Sequence, residues 1–181
     1  VWGPPGTGKT QTLARIALAH MKQGHRVLML SYSNVSVDGA ILRVHQLAPD
    51  KKPGALVRYG YAQQKELLQH EYLTAYNLAI RKHPELLKER QALSAERKKW
   101  GRSTQRYTEI GRRLTGIKKE LDKEEKETVK TAGFVATTVS KAVVDRVIYQ
   151  ESFDVVIFDE ASMAYIPQII FSASLAQKHF I

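Results

Sequence analysis

The sequence of 181 residues has no cysteine, and it has no apolar run near the ~20 residues that a membrane-spanning helix requires. The lack of cysteine excludes disulfides, thiolate zinc sites, iron–sulfur clusters and thiol nucleophiles. It is compatible with a cytoplasmic location, or with a nuclear one in a eukaryote. The six histidines are scattered without an H-E-x-x-H pattern, so the sequence gives no sign of a histidine metal site. These absences leave a globular chain long enough for one core.

Acidic residues are fewer than basic residues in this sequence. The chain has 28 Lys and Arg against 18 Asp and Glu, a formal charge of +10. Residues 1–60 carry 8 basic and 2 acidic residues, residues 61–130 carry 17 and 11, and residues 131–181 carry 3 and 5. Within 97–119, nine basic residues accompany a single acid, Glu109. Positive charge concentrated in this way indicates a polyanionic partner, with nucleic acid as the first candidate.

Short apolar runs alternate with amphipathic segments near both ends of the chain. The spacing predicts helices at 8–21, 35–48, 140–149 and 164–175, and strands at 26–32, 55–59, 133–137 and 153–158, with another strand beginning near the end. This alternation predicts an α/β fold, a parallel sheet flanked by helices. Because the chain starts at Val1 without Met and stops within an apolar strand, we expect a fragment. Trp2 is expected to pack against the sheet.

Residues 61–130 are polar and strongly helical in pattern. A first arm is expected to run to about residue 82, to break at Pro84 and to continue to Trp100, before a turn at 101–103. The second arm has a heptad seam formed by Tyr107, Ile110, Leu114, Ile117 and Leu121. An arm of about 25 residues would extend ~40 Å. We therefore predict an inserted, coiled-coil-like helical hairpin.

The basic end of this hairpin has two interpretations. It is either a solvated stalk with its own small core or a positive arm that lies along nucleic acid. The candidate contacts are Arg97, Lys98, Lys99, Arg102, Arg106, Arg112 and Arg113.

A glycine-rich segment near the start fits the pattern G-x-x-x-x-G-K-[ST]. Glycines allow successive backbone N–H groups to surround a phosphate, and the following helix presents its positive end to it. Lys9 is placed to reach the β- and γ-phosphate oxygens, and the Thr10 hydroxyl to ligate Mg²⁺. The candidate nucleotide-binding residues are Gly3, Pro4, Pro5, Gly6, Thr7, Gly8, Lys9, Thr10 and Gln11.

A second motif follows the apolar run at 155–158, where Asp159 and Glu160 stand together. The carboxyl end of a buried parallel strand is where α/β sheets bind ligands. Asp159 is therefore a candidate for holding Mg²⁺, and Glu160 for orienting or deprotonating the attacking water. The alternative is a pair of solvated loop acids or a helix cap, which is less consistent with a phosphate loop in the same chain.

The two motifs together resemble those of P-loop NTPases, and four segments narrow the resemblance to Upf1-like superfamily 1 helicases. They are similar to motif Ia, a short V-R-φ-G strand, motif Ic and motif II of that group. In the sequence they read VLMLSYSNVSVD from Val27, VRYG from Val57, FVATT from Phe134 and DEAS from Asp159. Tyr32, Ser36 and Met163 depart from the Pro, Ala and Gln that are usual there.

The resemblance implies the first of two RecA-like motor domains in an ATP-driven, Mg²⁺-dependent helicase that moves along single-stranded DNA or RNA. Residues 1–60 and 131–181 would form the core, and residues 61–130 the insertion that this group carries. Ser33, Asn34, Thr137 and Thr138 would contact the sugar-phosphate backbone, although the same residue types also cap helices. Because the second domain supplies an arginine finger, we expect weak turnover from this chain alone.

Two other functions stay open at this point. One is an AAA+ type protein-remodelling ATPase. The other is a non-motor module that binds RNA through the basic hairpin and uses nucleotide as a switch. The helicase interpretation ranks first because an AAA+ module does not ordinarily carry a 70-residue helical insertion at this place.

Overall fold

A computed structural model describes residues 3, 4 and 6–181, so the expectations for Trp2 and Pro5 lie outside the described residues. Five strands form one parallel sheet in the order β2-β3-β1-β4-β5. The strands are β1 (Val27–Ser31), β2 (Leu56–Arg58), β3 (Phe134–Thr138), β4 (Phe153–Asp159) and β5 (Ala176–Phe180). The predicted α/β fold is confirmed.

Helices cover both faces of this sheet. They are α1 (Lys9–Lys22), α2 (Asn34–Leu47), α3 (Lys65–Gln69), α4 (Ala75–Lys82), α5 (Pro84–Arg97), α6 (Gln105–Thr131), α7 (Val139–Val144), α8 (Arg146–Tyr149) and α9 (Ile166–Ser174), with a 3₁₀ turn at Ala161–Met163. Helices α1 and α2 pack on the face that presents Met29, Phe134 and Ile157. Helices α7 to α9 and the end of α6 pack on the face that presents Val135 and Val156. Burial on both faces explains the almost continuous apolar runs of the strands.

The strand register brings polar side chains together at one edge of the sheet. Ser31, the last residue of β1, is aligned with Thr138 of β3 on one side and with Asp159 of β4 on the other. All strands are parallel, so their carboxyl ends meet at this edge. We call it the carboxyl edge.

The insertion between β2 and β3 contains α3 to α6. Helices α4, α5 and α6 pack around a small core of Ala79, Leu86, Ile117 and Leu121. In the predicted seam Ile110, Ile117 and Leu121 are buried, whereas Tyr107 and Leu114 are half-buried. The observed α6 is 27 residues long, about 40 Å at the usual rise.

The first arm of the insertion differs from the prediction of one helix reaching residue 82. Residues 70–74 are not helical, because this segment pairs with the end of β2. The Arg58 N–H donates to the Leu73 carbonyl at 2.7 Å, and Thr74 caps α4 by accepting the Asn77 N–H at 3.1 Å.

The predicted helix at 140–149 is also divided. Asp145 accepts the backbone N–H of Val147 at 3.1 Å and so begins a new helix, α8. The strand predicted near the end is present as β5. Within the described part of the chain, no helix is long and apolar enough to cross a membrane.

Candidate nucleotide-binding site and carboxyl edge

The phosphate loop depends on its glycines for shape. Gly6 and Gly8 have φ values of 81° and 84°, in the left-handed region that glycine adopts without strain. A Cβ on Gly3 would lie 2.6 Å from Thr7 Oγ1, so a larger residue there would force the Thr7 side chain to move. Thr7 Oγ1 donates to the Pro4 carbonyl at 2.8 Å and closes the turn.

Helix α1 follows this loop without a side-chain cap, because its N-cap residue is Gly8. The N–H groups of the first helical turn therefore have no side-chain acceptor at the N-cap and can serve an anion. Lys9 Nζ lies over the loop and donates to the carbonyl oxygens of Gly3 at 2.7 Å and Pro4 at 2.9 Å. Its ammonium is thus held where a bound phosphate would meet it.

The two predicted magnesium ligands lie together. Thr10 Oγ1 and Asp159 Oδ2 are 3.5 Å apart, although the residues are 149 positions apart in the chain. Asp159 is only 6% exposed, and burial together with the neighbouring Glu160 raises the pKa of its carboxyl. Carboxylate and hydroxyl oxygens are the donors that Mg²⁺ prefers, and a bound dication would reverse that pKa shift.

This donor set is incomplete by itself. Among the described residues, no three His, Cys, Asp or Glu are arranged to hold a metal ion. Mg²⁺ usually takes one or two protein ligands, so an ion on Thr10 and Asp159 would need water and phosphate oxygens to complete its shell.

Glu160 has an unusual backbone and a directed side chain. Its φ of 58° is left-handed, the single such case for a non-glycine residue in the described ranges. This conformation costs about 1 kcal/mol or more and is typical of functional sites. Glu160 Oε2 accepts a hydrogen bond from Ser36 Oγ at 2.8 Å, and Ser31 Oγ lies 3.5 Å away. The carboxylate therefore faces β1 and α2.

Two of the predicted strand-contact residues cap helices. Ser33 accepts the Ser36 N–H at 3.1 Å, and Thr138 accepts the Lys141 N–H at 3.2 Å. Both are half-buried, so capping leaves each hydroxyl able to donate to another group.

Thr137 lies inside the protein. Its side chain is fully buried, and its Oγ1 donates to the Tyr59 carbonyl at 2.9 Å. In this conformation its side chain presents no surface to a nucleic-acid strand. We therefore do not include Thr137 among the proposed contact residues.

Asn34 is held by a buried ion pair that sequence reasoning missed. Arg58 Nη2 donates to Asn34 Oδ1 at 2.8 Å, and Arg58 Nε donates to Asp38 Oδ1 at 2.7 Å. The exposed fractions of the Arg58 and Asp38 side chains are 1% and 0%. Burial lowers the pKa of Arg58, while the hydrogen bond and charge of Asp38 oppose that shift. Asp38 also accepts the backbone N–H groups of Gln63 and Gln64, which fixes the start of the insertion.

The basic end of the hairpin is less positive than its sequence predicts. Packing of α5 on α6 brings Glu96 within 2.8 Å of Arg106. Arg113 lies 2.6 Å from Glu89 and 3.0 Å from Glu120. These three acids lie outside the 97–119 segment, so the charge of that segment by itself overstates the local potential.

The other cations of this end divide into two kinds. The Arg97 guanidinium lies over the Tyr107 ring, 4.1 Å from its centroid. Of the seven candidate contact residues, the remaining four are exposed and form no ion pair within the part of the chain that the structure describes; we call them the free cations, and they are Lys98, Lys99, Arg102 and Arg112.

A histidine group was also missed. The rings of His20, His25 and His179 have centroids 5.2 to 6.5 Å apart, although the residues are scattered in sequence. Burial and the two neighbouring rings lower the pKa of His20. The group lies on α1, the turn after it and β5, and only the fold brings these elements together.

Comparisons with known proteins identify a matching family model and several curated relatives. A family model described as an AAA domain matches residues 1–181. The DNA-binding protein SMUBP-2 of Mus musculus is 33% identical over 175 residues, covering 91% of this chain and 17% of that protein. The DNA polymerase alpha-associated DNA helicase A of Saccharomyces cerevisiae is 29% identical over 184 residues, covering 93% and 26%.

A third relative is similar over a shorter part of the chain. An uncharacterized ATP-dependent helicase of Methanocaldococcus jannaschii is 36% identical over 73 residues, covering 39% of this chain and 11% of the relative. The chain thus spans no more than about a quarter of the length of these curated relatives. The helicases among these relatives are consistent with the resemblance to Upf1-like superfamily 1 helicases. With the family model covering every residue, the chain belongs to the AAA domain family.

Proposed function

We propose that this chain is the ATP-hydrolysing part of a helicase or translocase that moves along single-stranded DNA or RNA. The observation that carries the proposal is the meeting of the phosphate loop with β4 at the carboxyl edge. There the Thr10 hydroxyl lies 3.5 Å from Asp159 Oδ2, and Glu160 directly follows Asp159 in the chain.

In the proposed mechanism, ATP phosphates displace the loop carbonyls from Lys9. The ammonium then binds β- and γ-phosphate oxygens, and the first N–H groups of α1 bind the same phosphates. Mg²⁺, held by Thr10 and Asp159, would offset the charge that develops on those oxygens. Glu160 orients the attacking water and accepts its proton.

The proposed nucleic-acid contacts are three half-buried polar side chains beside this site and the exposed free cations. Ser33, Asn34 and Thr138 lie at the ends of β1 and β3, and the free cations lie on the hairpin. Hydroxyl, amide and cationic groups bind phosphates without reading sequence, as a translocating motor requires. We propose that a second RecA-like domain of the full-length protein completes the ATP site.

The test is the ATPase rate of the full-length protein with single-stranded DNA, with single-stranded RNA and with neither. We expect stimulation by at least one strand, and its loss in Glu160→Gln. Glu127→Gln is a matched control, because Glu127 is exposed and pairs only with Lys130 in the described chain. A rate in the wild type that neither strand changes would instead favour a protein-remodelling ATPase or a nucleotide-switched module.

A further inference from the structure

Three side chains form a continuous hydrogen-bonded row at the carboxyl edge. Ser33 Oγ lies 2.8 Å from Ser36 Oγ, and Ser36 Oγ lies 2.8 Å from Glu160 Oε2. We call this row the serine relay. It joins the start of α2, where we propose that a strand binds, to the carboxylate that we propose activates water.

The chemistry of the groups fixes the direction of the relay. An ionised carboxylate only accepts hydrogen bonds, so the single proton of the Ser36 hydroxyl is donated to Glu160. The hydrogen between the two serines must then come from Ser33, whose oxygen also accepts the Ser36 backbone N–H at 3.1 Å. Each hydroxyl proton in the row is thus committed to one acceptor.

We propose that Ser36 is a positioning residue that restrains Glu160 until a nucleic-acid strand engages Ser33. A phosphate oxygen of the strand would accept the Ser33 proton and remove it from Ser36. Hydrogen bonds in a row strengthen one another, so this loss weakens the bond from Ser36 to Glu160. The carboxylate is then released toward water, and strand binding raises the hydrolysis rate. This inference rests on the proposed function.

Both side-chain bonds of the relay pass through the Ser36 hydroxyl. An alanine at this position could form neither of them. Among the residues that the structure describes, no other group bonds to this hydroxyl, and the cap of α2 uses the Ser36 backbone N–H, which every residue except proline retains.

The experiment compares Ser36→Ala with wild type in the full-length protein, with and without saturating single-stranded nucleic acid. We expect the unstimulated ATPase rate to rise about fivefold, as the loss of one modest charge-assisted hydrogen bond allows. The stimulated rate should change less than twofold. Ser36→Thr, which keeps a hydroxyl, should behave as wild type. Ser174→Ala is a matched control, because Ser174 Oγ donates only to the Phe171 carbonyl.

Two further variants separate failure of this inference from failure of the proposed function. In Ser36→Ala/Glu160→Gln both rates should be as low as in Glu160→Gln; an unstimulated rate that still rises would overturn the relay. Equal basal rates in wild type and Ser36→Ala, or rates that fall together, would also overturn it. An ATPase rate that Glu160→Gln leaves intact would overturn the proposed function itself.

Discussion

The carboxyl edge and the hairpin end are both rich in charge, but the fold treats them differently. At the edge Arg58 and Asp38 are completely buried, and Asp159 is 6% exposed. On the hairpin Arg106 and Arg113 are nearly half exposed, at 48% and 44%. Buried charges without their partners cost several kcal/mol, whereas exposed ion pairs contribute about 0–1 kcal/mol. Charge therefore fixes geometry at the edge and contributes little to stability at the hairpin.

The phosphate loop should show the largest effect. Lys9→Ala removes the ammonium that faces the loop centre, and we expect the stimulated ATPase rate of the full-length protein to fall about 10³-fold. Lys22→Ala, at the exposed end of the same helix, is the matched control and should leave the rate within twofold. A wild-type rate in Lys9→Ala would show that the loop is not the hydrolysis site.

The buried ion pair should dominate stability. Asp38→Ala leaves the Arg58 guanidinium without its carboxylate, and we expect the free energy of unfolding to fall by about 3–5 kcal/mol. The measurement is urea unfolding followed by circular dichroism. Arg113→Ala breaks exposed pairs on the hairpin and should lower the free energy of unfolding far less, because water screens these pairs. Equal losses in the two variants would remove the distinction between the two regions.

The salt dependence of nucleic-acid binding should distinguish the two interpretations of the hairpin. Replacing the four free cations by glutamine should reduce affinity for single-stranded nucleic acid about tenfold. It should also lower the log–log salt slope by about 0.7 for each phosphate that the variant no longer neutralises. Arg106→Gln/Arg113→Gln is the comparison, because acids already neutralise these two arginines, and its slope should change little. An unchanged slope in the quadruple variant would support the solvated-stalk interpretation.

A smaller effect is expected where the two regions join. Burial and then the neighbouring Asp122 raise the pKa of Glu125 on α6 to about 7. A carboxyl whose folded pKa is raised binds its proton more tightly in the native state than in the unfolded state. Stability therefore falls as the pH rises from about 4.5 to about 7.

Glu125→Gln removes that titration. We expect it to stabilise the protein at pH 7.5 by about 1 kcal/mol, after allowance for solvent screening. Melting temperatures between pH 4.5 and 7.5 are the measurement, and the wild-type decline should flatten in the variant. Glu127→Gln is a matched control, because Lys130 lowers the pKa of Glu127. A variant that follows the wild-type pH profile would refute this origin.

The parts of the molecule that the sequence predicted well depend on patterns within short segments of the chain. Lys9 and Thr10 belong to one eight-residue loop, and Asp159 ends a run of apolar residues whose burial requires a strand. Parallel strands then bring Thr10 and Asp159 together without further information. The same reasoning predicted the sheet, its flanking helices and the long second arm.

Long-range pairing explains what the sequence did not reveal. Arg58 and Asp38 are 20 positions apart, and nothing in their types distinguishes a buried pair from two surface charges. Glu89 meets Arg113 across 24 positions only because α5 packs against α6. The break at residues 70–74 depends on β2 in the same way. Such contacts follow from tertiary packing, which periodicity does not encode.

The most direct test of the ATP site separates nucleotide binding from hydrolysis in Glu160→Gln. In the full-length protein with single-stranded nucleic acid, the account predicts that this variant binds MgATP with a Kd within about threefold of wild type. It also predicts hydrolysis at least about 100-fold slower, because only the group that activates water has changed. Hydrolysis within twofold of wild type would contradict the assignment of Glu160, and with it the proposed catalytic role of the carboxyl edge.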